Sequence, residues 1–160
     1  MMDYKDIMNI DLEEFEQMDM RSRVKTIKQA FHRSAPVLLD EIEQSARRVI
    51  SAHYKDYEGL SGIYLNFMEI KALTIMDNNI EDRDLFVKII QKTAKKEEIE
   101  DARNMHEDIR ELWQELRELT DDFTPPADTC PTHIDLYEMF SEMEKLTLAS
   151  FELEDRYIFN

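Results

Sequence analysis

Hydrophobic residues recur every three or four positions along most of this chain, which is the spacing of an amphipathic α-helix. Similar stretches run over about 20–57, 61–92 and 132–159, and the clearest one lies over 96–119. Its stripe consists of Met105, Ile109, Leu112, Leu116 and Leu119. Four long helices joined by short connections predict an all-α protein, with an up-down-up-down four-helix bundle as the architecture.

Proline and glycine mark the expected boundaries within this pattern. Pro36 falls inside the first stretch, where it should kink the helix or mark where regular helix begins. The segment 58–62 predicts the first turn, and the segment 121–131, which holds three of the four prolines, predicts a rigid loop before a helix capped by Thr132 or Asp135. Residues 1–19 are acidic and weakly periodic, which predicts an arm or a short helix ahead of a bundle over 20–160.

The composition of the chain limits which kinds of molecule the protein is expected to bind. A chain of 160 residues is long enough for one domain with a full core. Its formal charge of −16 argues against nucleic acid or an anionic membrane as a partner. A single cysteine, Cys130, excludes a disulfide framework and a cysteine-ligated metal site. The sequence also lacks a membrane-length apolar run and a signal-peptide core, so we expect a soluble, cytoplasmic protein.

Several ionisable residues fall on the inward stripes. Glu81 and Glu154 each lie five positions ahead of a phenylalanine, near the ends of the second and fourth helices. With a helix rise of about 1.5 Å per residue, His32, Asp77 and His106 lie at a similar distance along the bundle axis to the two glutamates, so all five can meet at one end of the bundle. Burial of so many ionisable groups requires compensation. A metal centre would provide it, and so would a network of salt bridges and water.

Two other histidines fall outside this set. His53 lies about 30 Å from His32 if the first helix is continuous, which places it near the opposite end. His133 precedes or caps the fourth helix in this interpretation, and we expect it at the surface.

The residues at these positions resemble the hemerythrin-like di-iron proteins, in particular the bacterial iron–sulfur cluster repair group. His32, His53 and His106 match three histidines of that group, and Glu154–Phe159 matches its closing segment. The loop Leu119–Cys130 is the most specific match. The resemblance spans about 24–159 and implies a hemerythrin-like four-helix bundle.

The chain departs from the group where the metal chemistry lies. The two His-x-x-x-Glu motifs read Asp77-x-x-x-Glu81 and Ser150-x-x-x-Glu154 here, and the cysteine-bearing N-terminal domain is missing from residues 1–20. The resemblance implies that Glu81 and Glu154 bridge two iron ions, with His32, His106 and Asp77 as terminal ligands. Because carboxylates suit harder ions, manganese or a mixed site is the alternative.

Three functions remain open from the sequence. The first is a di-metal protein of the nitrosative or oxidative stress response, which by resemblance repairs iron–sulfur proteins by delivering iron. The second is a degenerate, metal-free bundle that serves as an interaction or sensor module. The third is a reversible binder of oxygen or nitric oxide, which the lost histidines disfavour. The sequence does not decide whether the protein is an enzyme.

Overall fold

The computed structural model describes residues 9–160, and the regular structure in this range is helical. Four of its helices have 19 or more residues and form the body of the molecule. In chain order the α-helices are α1 Leu12–Gln17, α2 Met20–Ile27, α3 Ala35–His53, α4 Leu60–Ile80, α5 Phe86–Gln91, α6 Lys96–Leu119 and α7 Pro131–Tyr157. Two π-helical segments interrupt this order, at Lys28–His32 and at Glu81–Leu85.

The long helices pack around a shared apolar core. Helix α3 packs against α4 and α7, and α6 packs against the same two helices. Phe67 of α4 and Phe140 of α7 meet in this core with ring centroids 5.5 Å apart. Trp113, the single tryptophan of the chain, is 1% exposed on α6. Helices α2 and α5 close one end, where they contact each other.

The predicted third helix has the bounds of α6, and the fourth differs from α7 by one or two residues at its ends. The predicted second helix divides into α4, a π-helical segment and α5. The first predicted helix divides into α2, a π-helical segment and α3, with Pro36 in the first turn of α3. Proline fits that position because the first helical N–H groups have no partner within the helix. Helix α7 begins at Pro131 with Cys130 as its N-cap, so the caps predicted at Thr132 and Asp135 are wrong.

The N-terminal residues 9–19 include one short helix that packs on the rest of the molecule, and residues 1–8 of the predicted arm lie outside the described range. Asp11 caps α1 by accepting a hydrogen bond from the N–H of Glu13 at 3.0 Å. Phe15 is fully buried, and its ring meets Tyr157 edge to face at 5.6 Å. Arg23 joins the two elements, because its guanidinium donates to the carbonyls of Phe15 and Tyr157.

Within residues 9–160, no helix combines the length and the apolar character that crossing a membrane would require.

Candidate metal centre

The five side chains that the sequence singles out lie together in the interior. Their residue exposures range from 0% to 6%. His32 lies on the first π-helical segment and Glu81 on the second. Asp77, His106 and Glu154 lie on α4, α6 and α7, in that order. The long helices therefore bring together residues that are up to 122 positions apart in the chain.

His106 stands at the centre of three carboxylates. Its Nε2 lies 3.0 Å from Glu81 Oε1, and 3.1 Å from both Asp77 Oδ2 and Glu154 Oε2. One imidazole N–H carries one hydrogen, which Glu81 Oε1 accepts. Asp77 Oδ2, Glu81 Oε2 and Glu154 Oε2 are buried and have no hydrogen-bond partner among the described residues. Acceptor oxygens thus outnumber the available N–H donors.

Glu154 also faces the second histidine. Its Oε1 lies 2.8 Å from His32 Nε2 and accepts a hydrogen bond from Ser150 Oγ at 3.3 Å. Glu154 therefore presents one carboxylate oxygen to each of the two histidines. Ser150 contacts the cluster through this carboxylate.

Two overlapping ligand groups follow from these positions. His32, Glu81 and Glu154 form one group, and Asp77, Glu81 and His106 form the other. In each group the donor atoms lie within 4.8 Å of one another, and all the residues are buried. Glu81 belongs to both groups, so the arrangement has the form of two adjacent sites that share a carboxylate.

The backbone departs from regular α-helix next to two residues of this cluster, His32 and Glu81. The Arg33 N–H donates to Lys28 O at 2.9 Å, which closes a π-type turn that ends at His32. The second π-helical segment starts at Glu81. Such turns occur often at functional sites. Helix α4 is regular up to Ile80, directly before the second π-helical segment.

A second layer of carboxylates orients both histidines. His32 Nδ1 lies 2.6 Å from Asp82 Oδ1, and His106 Nδ1 lies 3.1 Å from Asp155 Oδ1. A carboxylate at Nδ1 holds the proton on that nitrogen and directs Nε2 towards a metal. Arg110 in turn donates to Asp155 at 2.9 Å. Each aspartate directly follows one of the glutamates, Glu81 or Glu154.

The sequence-based prediction missed this second layer. The signal was present as the tripeptide Glu-Asp-Arg, which occurs at 81–83 and again at 154–156. The first residue of each tripeptide faces inward to the cluster. The second residue contacts the Nδ1 of a histidine. Asp82 contacts His32 on the π-helical segment before α3, and Asp155 contacts His106 on α6.

The electrostatics of the cluster follow from its burial and its acidity. Burial opposes protonation of His32, but its hydrogen bonds to Asp82 and Glu154 prevail and raise its pKa to about 9. Burial also opposes protonation of His106, but its hydrogen bonds to carboxylates prevail and raise its pKa, with Asp155 contributing most. Burial and then the charge of Glu154 raise the pKa of Glu81. Burial would also raise the pKa of Glu154, but the two histidines lower it to about 2.

Two cavities adjoin the cluster. One of about 20 Å³, room for about one water molecule, is lined by His32, Thr74 and Ser150 among others. The other, of about 270 Å³, has Asp77 and Glu81 on its wall together with the acidic side chains of Asp84, Glu98 and Asp101. The charged groups that line the second cavity are all carboxylates, and Lys88 pairs with two of them, Asp84 and Glu98.

The remaining histidines lie elsewhere. His53 ends α3, and its Nε2 contacts Cys130 Sγ at 2.9 Å, so it is outside the cluster as predicted. His133 was predicted at the surface, and that prediction is wrong: it is fully buried in the first turn of α7. The aromatic rings of Tyr57 and Tyr137 pack around it.

No model of a known protein family matches this chain. The class of protein must therefore be argued from the helix packing and from this buried cluster.

Proposed function

We propose that this chain is a hemerythrin-like four-helix bundle that binds two metal ions, in the first instance iron, in a carboxylate-rich centre. One observation carries the proposal. Two imidazole Nε2 atoms and three carboxylates converge inside the protein, and three of the carboxylate oxygens have no hydrogen-bond donor among the described residues. The mutual packing of α3, α4, α6 and α7 supports the bundle architecture.

The donor atoms fit a metal ion better than a hydrogen-bond network. Ligands at about 2.1 Å in an octahedral shell lie about 3 Å from their neighbours. The separations of 3.0 and 3.1 Å around His106 Nε2 agree with that value and equally with N–H···O hydrogen bonds, so the surplus of acceptor oxygens is what favours an ion. A cation would also neutralise the buried carboxylates that the single N–H cannot serve.

We propose a distinct role for each ligand. His32 and His106 would each bind one ion through Nε2, since Nδ1 is engaged by an aspartate. Glu81 and Glu154 would bridge the ions, and Asp77 would complete the shell beside His106. Two imidazoles with three carboxylates suit iron, and they also suit manganese or a mixed pair.

The ligand set favours reversible rather than permanent metal binding. Asp77 and Ser150 stand where the resembled repair proteins carry histidines, so fewer imidazoles hold each ion. We propose that the bound iron is cargo, which the protein releases to damaged iron–sulfur proteins during oxidative or nitrosative stress. The bound ions would supply affinity for oxygen or nitric oxide.

Metal analysis of the protein from iron-supplemented cells tests the proposal. We expect up to about two ions per chain, falling strongly in Glu81→Ala. Glu107→Ala is the matched control, because Glu107 lies next to His106 in sequence but its side chain is 63% exposed. A content below about 0.2 ions per chain that Glu81→Ala does not change would refute the metal centre.

The alternative of a metal-free interaction module has one observation in its favour. His32 and Glu154 are paired at 2.8 Å, and this contact accounts for two of the buried groups without any ion. A metal-free module would unfold at the same temperature with and without a chelator. A metal protein would unfold at a lower temperature after chelation, because ions that bind the folded state stabilise it by mass action.

A further inference from the structure

A cysteine and a histidine form a second reactive cluster, separate from the candidate metal centre. Cys130, the only cysteine of the chain, precedes α7, and its Sγ lies 2.9 Å from Nε2 of His53 at the end of α3. Neither residue belongs to the two metal-ligand groups. The cluster therefore needs an explanation of its own.

The position of Cys130 favours the thiolate form. It is the N-cap of α7, a helix of 27 residues, and the His133 N–H donates to its carbonyl oxygen at 3.1 Å. The N–H groups of His133 and Thr132 contribute to lowering the pKa of its thiol. A helix N-terminus carries partial positive charge, and an imidazolium adds a full one. The hydrogen bond from His53 is the main reason why the pKa of the thiol is lowered.

His53 is itself held in place. Its Nδ1 lies 3.3 Å from Asp56 Oδ2, on the opposite side of the ring from Cys130. The hydrogen bond to Cys130 is the main reason why the pKa of His53 is raised, and Asp56 adds to it. A nucleophile, a base and a group that orients the base are the three parts of an activated thiol.

A buried polar atom next to this pair has no partner. His133 is fully buried, and its ring centroid lies 5.9 Å from that of His53. Its Nδ1 meets Thr129 Oγ1 at 2.8 Å, whereas its Nε2 has no hydrogen-bond partner among the described residues. An unpaired buried nitrogen is rare in a folded protein, and a bound water molecule, an ion or a role in chemistry would account for it.

The exposure of Cys130 and the negative charge of the protein favour a small, uncharged reactant. Cys130 is partly exposed, so a small molecule can reach its sulfur. Asp56 and Asp128 lie nearby in the chain, and the protein carries a formal charge of −16. Anionic reactants, such as an anionic disulfide, are repelled by this field, whereas an uncharged oxidant is not.

We propose that Cys130 is a peroxide-reactive thiol whose proton donor is His53. The thiolate sulfur attacks one oxygen of a neutral hydroperoxide, and the O–O bond breaks as the S–O bond forms. The imidazolium of His53 protonates the leaving oxygen. With hydrogen peroxide the products are Cys130 sulfenic acid, water and neutral His53, so sulfur is oxidised and the peroxide reduced.

The chain itself cannot complete a disulfide from this product, because it has no second cysteine. A low-molecular-weight thiol would condense with the sulfenic acid and release water. Cys130 would thus record peroxide exposure reversibly, independently of whether the candidate metal centre is occupied.

Trapping of sulfenic acid in the full-length protein tests this proposal. Protein treated with hydrogen peroxide, in the presence of a chelator that suppresses metal-catalysed oxidation, is captured with dimedone and analysed by mass spectrometry. We expect an adduct on Cys130 and none in Cys130→Ser. Near pH 6 the reaction should be at least about tenfold slower in His53→Gln, because an unassisted thiol loses about tenfold in thiolate per pH unit below its pKa.

Matched variants make the outcome decisive. Asp56→Asn should slow the reaction less than His53→Gln does, and Lys55→Gln, which removes an exposed neighbouring charge, should leave the rate unchanged. If His53→Gln fails to fold, as judged by circular dichroism, the pH profile of the native protein decides. A rate that falls about tenfold per unit from pH 8 to pH 6, as for a free cysteine, would overturn the proposal, and so would equal rates in a folded His53→Gln.

Discussion

Asp82 and Asp155 occupy equivalent chemical positions beside the two histidines of the candidate metal centre. Each accepts a hydrogen bond from a histidine Nδ1, and each directly follows a glutamate of the cluster. Their exposures differ little, with side chains that are 26% and 19% exposed. The same interaction therefore fixes the orientation of both imidazoles.

Replacing either aspartate should weaken metal binding without removing a ligand. We expect Asp82→Asn and Asp155→Asn each to lower iron affinity by about 10–100-fold, the usual effect of losing such a partner. Competition with a chromophoric chelator measures this. Asp108→Asn is the control, since Asp108 is exposed on α6 two residues after His106. An unchanged affinity in both variants would contradict the orienting role.

Metal affinity should rise with pH. In the metal-free protein the pKa of His32 is raised to about 9, and that of His106 is also raised. Both imidazoles therefore hold a proton at Nε2 near neutrality, and a metal must displace it. We expect binding to release protons, with affinity increasing up to about tenfold per pH unit for each proton released. Calorimetric titrations in buffers of different ionisation enthalpy count these protons.

The stability of the metal-free protein should change with pH in the opposite direction. The folded-state pKa of His32, about 9, exceeds its ordinary value of 6.5. The stabilisation that this shift provides is fully present below pH 6.5 and is lost as the pH rises through about 9. Urea unfolding of chelator-treated protein across this range measures the loss. A metal-free protein whose stability rises over the same interval would contradict the assigned contacts of His32.

At the scale of the element, the small helix α1 behaves as part of the folded unit. Its one buried side chain, Phe15, reaches the end of α7 through Tyr157. Arg23 of α2 hydrogen-bonds to backbone carbonyls on both sides of this contact. The weak periodicity of residues 9–19 in the sequence did not indicate such an anchor.

Removing this anchor should destabilise the whole protein. We expect Phe15→Ala to lower the free energy of unfolding by about 3–5 kcal/mol, as for other fully buried phenylalanines. Leu12→Ala is the matched control on the same helix, because Leu12 is 54% exposed and should have little effect. Urea denaturation of both variants provides the comparison. Equal, small effects would show that α1 contributes little to the fold.

Hydrophobic periodicity located the long helices but not their irregular turns. The bounds of α6 could be predicted because its apolar stripe is uninterrupted from Met105 to Leu119. The π-helical turns at Lys28–His32 and Glu81–Leu85 change the hydrogen-bonding register by one residue, and this change leaves no mark in the order of polar and apolar residues. The burial of His133 was missed because one of its partners, Tyr57, lies between α3 and α4, far from His133 in the sequence.

Helix periodicity also accounts for which of the candidate ligands could be predicted from the sequence. His32, Asp77, Glu81, His106 and Glu154 each lie on an inward stripe, so helix periodicity suffices to gather them. Asp82 and Asp155 lie one residue away from such a stripe, and their contacts depend on where the neighbouring helix places a histidine. Contacts of that kind are set by packing between helices.

At the scale of the whole molecule, the charge distribution is unbalanced. The formal charge of −16 is the balance of 36 acidic and 20 basic side chains. Three of these carboxylates, Asp77, Glu81 and Glu154, lie inside in the candidate metal centre, and most of the others face solvent. Repulsion among surface charges of one sign opposes the compact state.

Simple salt should therefore stabilise the metal-free protein. Raising potassium chloride from low concentration to about 0.5 M shortens the screening length to a few ångströms, and we expect the unfolding temperature to rise by a few degrees. Scanning calorimetry of chelator-treated protein measures this. Potassium sulfate at matched ionic strength separates screening from effects of ion type, and a falling unfolding temperature in both salts would contradict the repulsion.

The position of Trp113 gives the protein an optical reporter. It lies on α6 seven residues after His106, two helical turns or about 10 Å along the axis, and water is excluded from its ring. Since the chain has no other tryptophan, its ultraviolet-excited emission comes mainly from this one position. A coloured or paramagnetic ion beside His106 would lie close enough to quench that emission. Loading and release of the ions can thus be followed in solution, in real time and without a label.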